Sequence, residues 1–242
     1  MNFHTYDTTP MVVLKLAQLL QESAAQHPDG FYVALGAPTS AVHLYKVLAQ
    51  EPVKSAVNWS SWHLFLAFDY TDPSSGSVYE TAKRELADKV GIPSEQIHPI
   101  MTGASPEEEA QRYNALVRDR VPQLGGFPRF HVALLEVAPD GGLAGVFPGQ
   151  YDLFDTTEVY TVSKDPLGEQ TPRVTLSLSA LEESKQIVFL NIGPEARFAI
   201  GTMINLLPEA KAYPANFLSA KCPWTHLFAD PEAMREKSYS IY

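Results

Sequence analysis

The sequence predicts an α/β fold: a three-layer α/β/α sandwich, Rossmann-like, around a mostly parallel sheet. Two observations point there. Short, wholly apolar strands alternate with amphipathic helices along 242 residues, and strands lacking a polar face belong in parallel sheets covered on both sides. Several of those strands also empty into loops built from Gly, Pro and Asp, the composition of tight connections. The length suits one α/β domain over residues 1–242, with no low-complexity segment and no solenoid repeat.

Over 10–26, Val12, Val13, Leu16, Leu19 and Leu20 recur at helical spacing, with Thr9 before them as a cap and Pro10 in the first turn. The turn His27-Pro-Asp-Gly30 leads into the strand FYVALG, 31–36. An amphipathic helix follows over 39–50, then the buried strand WHLFLAF, 62–68, and a helix of mixed charge over 79–90. Ser105-Pro-Glu-Glu-Glu opens a capped helix running to about 121. FHVALLEV (130–137), PRVTLSL (172–178) and QIVFLNIG (186–193) supply the remaining strands of the parallel sheet, with a short helix between the last two. Helices over 195–206 and 230–237 close the chain, and the segments 71–77 and 164–172 read as mobile linkers.

A formal charge of −10 argues against nucleic acid or an anionic membrane as partner, although a pocket can still gather positive charge locally. A single cysteine, Cys222, excludes an internal disulfide and a CxxC metal site. The N-terminus lacks a basic leader and no apolar run reaches the ~18 residues of a membrane span. A cytoplasmic protein is expected.

Ligands of open parallel sheets collect beyond the carboxyl ends of strands. Four such ends carry candidates. LGAPTS (35–40) offers Gly36 and Thr39 at a helix start, where amides favour phosphate. FDYTD (68–72) offers Asp69, a proton carrier or a turn aspartate. APDGGLAGVFPG (138–149) offers Asp140 and Gly141 in a tight backbone nest. LNIGPEARF (190–198) places Arg197 in the first turn of a helix, against its dipole.

Taken in order, these segments resemble the 6-phosphogluconolactonase family, which shares its fold with glucosamine-6-phosphate deaminase. The family pattern L-L-G-x-G-P-D-G-H-T-A-S-L-F-P-G aligns without gaps on LLEVAPDGGLAGVFPG, 134–149. VALGAPTSAVHLYKVLA (33–49) resembles the phosphate loop, PRVTLSLSAL (172–181) resembles P-x-R-I-T-L, and IHPI (97–100) and YPANFL (213–218) fall in place. R-V-T-L and the terminal W-T-H-L-F-A-D (224–230) lean toward the lactonase. The resemblance implies a phosphorylated sugar lactone as ligand, ester hydrolysis with neither metal nor cofactor, and phosphate held by Gly36, Thr39, Asp140, Gly141, Arg173 and Arg197. It implies no oligomeric state.

The reactive positions depart from the pattern. The histidine that resembles the general base is Gly142, the threonine after it is Leu143, and the serine two further on is Gly145. Asp69 is kept, but Tyr70 and Thr71 replace its neighbours and Val78 replaces an asparagine. Pro38 removes a backbone donor from the phosphate loop, and the family lysine falls on Ala196, beside Arg197. Scaffold residues survive while substrate-touching side chains are replaced. Three readings follow: a lactonase with another base (Asp69, His43 or His226), a deaminase-like enzyme using Asp69, or a descendant that only binds a sugar phosphate or a partner.

Overall fold

A computed structural model describes residues 1–235. Its strands of three or more residues, in chain order, are β1 (Asn2–Thr5), β2 (Phe31–Gly36), β3 (Trp62–Leu66), β4 (Phe68–Tyr70), β5 (Val132–Leu135), β6 (Tyr160–Ser163), β7 (Arg173–Leu176), β8 (Ile187–Asn191) and β9 (Thr225–Ala229). Six form one parallel sheet in the order β1-β9-β8-β5-β2-β3. All residues of β5 and β8 are buried, so neither strand has a polar face. This is the α/β architecture that the alternating pattern predicts.

Helix α1 (Thr9–Ala25) buries Val12, Val13, Leu16, Ala17 and Leu20 along one stripe, and α2 (Ala41–Leu48) buries Ala41, Leu44, Tyr45 and Leu48. The capping box at 105–108 forms as expected, with the Ser105 hydroxyl accepting from the Glu108 amide and the Glu108 carboxylate accepting from the Ser105 amide. It opens α3 (Pro106–Arg120).

Several details differ from the sequence expectation. The stretch 172–178 does not join the parallel sheet. Its strand β7 lies between β4 and β6 in a second, antiparallel sheet. The apolar run 62–68 divides for the same reason: β3 stays in the main sheet, and Phe68 begins β4 in the other. Strands β1, β6 and β9 are additional to those expected; NFHT in β1 is short and largely exposed and gains its conformation only by pairing with β9. The closing helix is Pro231–Met234, and positions 236 and 237 of the expected 230–237 helix lie outside the described residues. Over 79–90 the helix is interrupted by a π-helical turn at Lys83–Ala87.

The topology fixes where a ligand can sit. From β2 the chain leads outward to β3, whereas from β5 it leads the other way to β8, so the strand order reverses between β2 and β5. Loops leaving two such strands diverge and open a crevice at their carboxyl ends. Those loops are 37–40 and 136–149. Among the described residues, no helix is long and apolar enough to cross a membrane.

Candidate active site

A cleft of about 340 Å³ opens at that crevice, within the roughly 300–1,000 Å³ usual for small-ligand sites. Its walls come from the turn after β2, from β4, from the loop after β5 and from the start of β7.

The loop after β5 holds itself. Asp140 Oδ1 accepts from the Gly142 amide at 2.8 Å, and the Ala138 amide donates to the Gly142 carbonyl at 2.9 Å. The Asn191 side chain clasps Val137, donating to its carbonyl at 2.9 Å and accepting from its amide at 3.3 Å. The Thr175 hydroxyl donates to the Ala144 carbonyl, tying the loop to the second sheet. Gly141 has φ +88°, and a Cβ there would sit 2.4 Å from the Tyr213 ring. Glycine is required at this point both for backbone conformation and for space. Gly36 lines the cleft, yet its bareness is demanded from behind: a Cβ would meet Ala67 at 2.9 Å and Leu135 at 3.0 Å.

Arg173 is the cation of the cleft. Its guanidinium lies 4.3 Å from the Phe147 ring centroid and 5.4 Å from that of Tyr70, and Nη2 donates to Gln170 Oε1 at 2.6 Å. Burial lowers its pKa, against the nearby charges of Tyr70, Asp140 and Asp165. Its Nε is buried and has no hydrogen-bond partner among the described residues, a donor left over in a nearly dry wall.

Of the sequence-predicted residues, the structure brings Gly36, Thr39, Asp140 and Arg173 to the cleft surface, and holds Gly141 just behind it under Tyr213. Asp69 does not reach the cleft. In β4 alternate side chains face opposite ways, so Phe68 and Tyr70 line the cleft and Asp69 points into the protein, 3% exposed. Its oxygens accept from the amides of Tyr70 (3.0 Å), Val78 (2.8 Å) and Tyr79 (3.4 Å) and from the Ser77 hydroxyl (2.9 Å). Burial raises its pKa, and these four hydrogen bonds pull the other way. The position serves as the anchor of the helix that starts at Val78. Arg197 is also absent from the cleft wall, its guanidinium lying 5.1 Å from the ring of Phe198, and Ala196 is buried in the lysine's place. His43 is exposed on α2, and His226 is engaged with His4 at 2.8 Å on the far edge of the sheet. Neither fills the vacancy at Gly142.

One cleft residue escaped the sequence reading. Glu136 stands at the end of β5, where the family pattern has the first glycine of L-L-G-x-G. Its Oε2 accepts from the amides of Thr39 and Ser40, both at 3.0 Å, and its Oε1 accepts from the Ser40 hydroxyl at 2.9 Å. Burial raises its pKa, with these bonds opposing and Glu195 adding to the rise. The signal was present: a carboxylate in a glycine position, directly after an apolar strand. Among the described residues, no cluster of three or more His, Cys, Asp or Glu is placed to hold a metal ion.

A family model described as glucosamine-6-phosphate isomerases/6-phosphogluconolactonase matches residues 7–227. The chain belongs to that family. A 6-phosphogluconolactonase of Haemophilus influenzae is 29% identical over 239 residues, covering 97% of this chain and 99% of the relative. One from Aggregatibacter actinomycetemcomitans is likewise 29% identical, over 245 residues, with the same coverage. Among solved structures, the devB protein superposes with a TM-score of 0.85 at 25% identity, covering 96% of this chain and 97% of that one. The fold is shared more widely. A 6-phosphogluconolactonase from Leishmania guyanensis gives 0.79 at 19% identity, covering 96% and 97%, and a monomeric glucosamine-6-phosphate deaminase gives 0.78 at 16%, covering 96% and 98%. Against this family pattern, the cleft lining departs at Pro38, Tyr70, Gly142, Leu143 and Gly145, and also at Glu136, where a carboxylate replaces a glycine.

Proposed function

We propose that the protein is a 6-phosphogluconolactonase-type hydrolase of the cytoplasm, whose cleft takes a phosphorylated six-carbon sugar lactone and releases the sugar acid. The single observation that carries this reading is Arg173: a half-buried guanidinium, stacked on Phe147 and Tyr70, facing Asp140 across the family's own crevice. A guanidinium held this way is suited to a phosphate or carboxylate group on a sugar. The near-complete coverage of relatives named 6-phosphogluconolactonase supports the substrate class.

Opening a lactone needs water at the carbonyl carbon. The attacking water gives up a proton, the bond from that carbon to the ring oxygen breaks, and the ring oxygen leaves as a hydroxyl after taking a proton back. With glycine at 142, the group placed to accept the first proton is Asp140. Its Oδ1 is committed to the Gly142 amide, but Oδ2 holds Gln170 Nε2 at only 3.3 Å and faces the cleft. A carboxylate is an intrinsically weaker base than an imidazole, so slower turnover than in a histidine-bearing relative belongs to this reading. Asp69 has no part in the step, since its oxygens face inward.

Following the loss of 6-phosphogluconolactone against its spontaneous opening in buffer tests the reading. The expected result is a saturable acceleration. Gly142→His is expected to raise it further, by up to the roughly 10²–10⁴-fold that a general base contributes. Position 142 has no left-handed φ, but an added Cβ meets Asp140 Oδ1 and the Val146 carbonyl at 3.0 Å, so the loop has to give by a few tenths of an ångström to seat the imidazole. A wild-type rate no faster than buffer leaves only a binding role and overturns the hydrolase reading.

A further inference from the structure

The amides of Thr39 and Ser40, at the entrance to the eight-residue helix α2, form the natural seat for an anion in this cleft. That seat is occupied from within. Glu136 spans the gap between the loops after β5 and β2, and its carboxylate takes both amides and the Ser40 hydroxyl at 2.9–3.0 Å. Ser40 is itself fixed, 1% exposed and accepting from the Ile192 amide at 3.0 Å, so the seat's third donor cannot turn to a visitor without breaking a buried contact. Glu136 lines the cleft as well. It therefore presents negative charge to any ligand that approaches the turn, and among the described residues it has no ion-pair partner.

We infer that Glu136 is a specificity-determining residue: it fills the anion seat of the 37–40 turn, so the cleft receives ligands whose group facing that turn is an uncharged hydroxyl rather than a phosphate. The physical reason is twofold. A phosphate at the turn meets a carboxylate at contact range, and it finds the amides already bonded. Like charges brought together in a partly dry site repel strongly. A sugar hydroxyl, by contrast, donates to the outer lone pairs of Glu136. The ligand's one anionic group then goes to Arg173. This orientation rests on the sugar-derivative reading above, while the exclusion of phosphate from the turn does not.

Inorganic phosphate titrated into the full-length protein, followed through the backbone amide resonances of Thr39 and Ser40, separates the two. In the wild type those resonances are expected to show no saturable shift, whatever happens near Arg173. In Glu136→Ala they are expected to shift saturably, with phosphate bound at least about tenfold more tightly than by the wild type. Glu136→Gln guards against a misfolded alanine variant. Its amide oxygen still fills one place in the seat but carries no charge, so a smaller gain in the same two resonances is expected. Saturable shifts at Thr39 and Ser40 in the wild type, with an affinity equal to that of the variants, overturn the inference. So does the lack of any gain in both variants. Failure of lactone hydrolysis leaves this result untouched, and phosphate binding at the turn of the wild type leaves the hydrolase reading standing.

Discussion

Asp69→Ala is expected to lower the stability of the folded protein by about 3 kcal/mol, within the range for breaking a buried hydrogen-bond network. The carboxylate gathers three amides and a hydroxyl, and it is 3% exposed. Removing it leaves the Val78 amide and its neighbours without acceptors where water does not reach, and each orphaned buried donor costs about 1–3 kcal/mol. Asp69→Asn does not repair the loss, because its amide nitrogen is a donor facing other donors. Urea denaturation reads the effect, and a melting temperature lower by roughly 6–12 °C accompanies it at this chain length. An Asp69→Ala protein with wild-type stability and no lactone hydrolysis would return Asp69 to the role of proton carrier.

Gly141→Ala is expected to destabilise by about 2–4 kcal/mol, combining left-handed backbone strain with a steric collision. The collision is the larger part: the new methyl would lie 2.4 Å from ring atoms of Tyr213, and a ring packed against the loop has to leave for the loop to stay. Gly149→Ala is the matched control. Its φ of +80° is similar, but no atom lies within 4 Å of the added Cβ, so only the backbone component of about 1–2 kcal/mol remains. The difference between the two denaturation midpoints measures the Tyr213 contact. Equal losses in the two variants would mean that the ring yields freely and that Gly141 is held to glycine by its backbone alone.

The fold was legible because its elements bury whole faces. Strands such as VALL and IVFLN have no polar side and can only lie in a covered parallel sheet, and the capping box at Ser105 and Glu108 names its own helix start. The second sheet was not legible. RVTL and YTVS look like any short strands, and only the turn of the chain at Ala67, where WHLFLA gives way to FDY, decides which sheet receives them. The 138–149 loop is marked by local pattern and Arg173 by the family resemblance, and both line the cleft. Asp69 was misleading because a carboxylate at a strand end reads the same whether it faces a ligand or caps a helix. Period-two alternation in Phe68-Asp69-Tyr70 carried the answer, since the two aromatic residues had to share one face. Arg197 lies outside the cleft because it opens the helix one residue beyond the family lysine's position, and its guanidinium lies against the Phe198 ring. Glu136 depends on a contact with Thr39 and Ser40 across some 96 positions of sequence, which no local pattern specifies.

The proposed role of Arg173, receiving the ligand's charge, is measured most directly by titration with 6-phosphogluconate. By thermal shift, wild-type protein is expected to be stabilised saturably, reaching about 2.7 kcal/mol at a hundredfold excess over Kd. Arg173→Ala, with its fold checked by circular dichroism, is expected to lose that stabilisation. Equal stabilisation of the two proteins, or none in the wild type, would contradict the account.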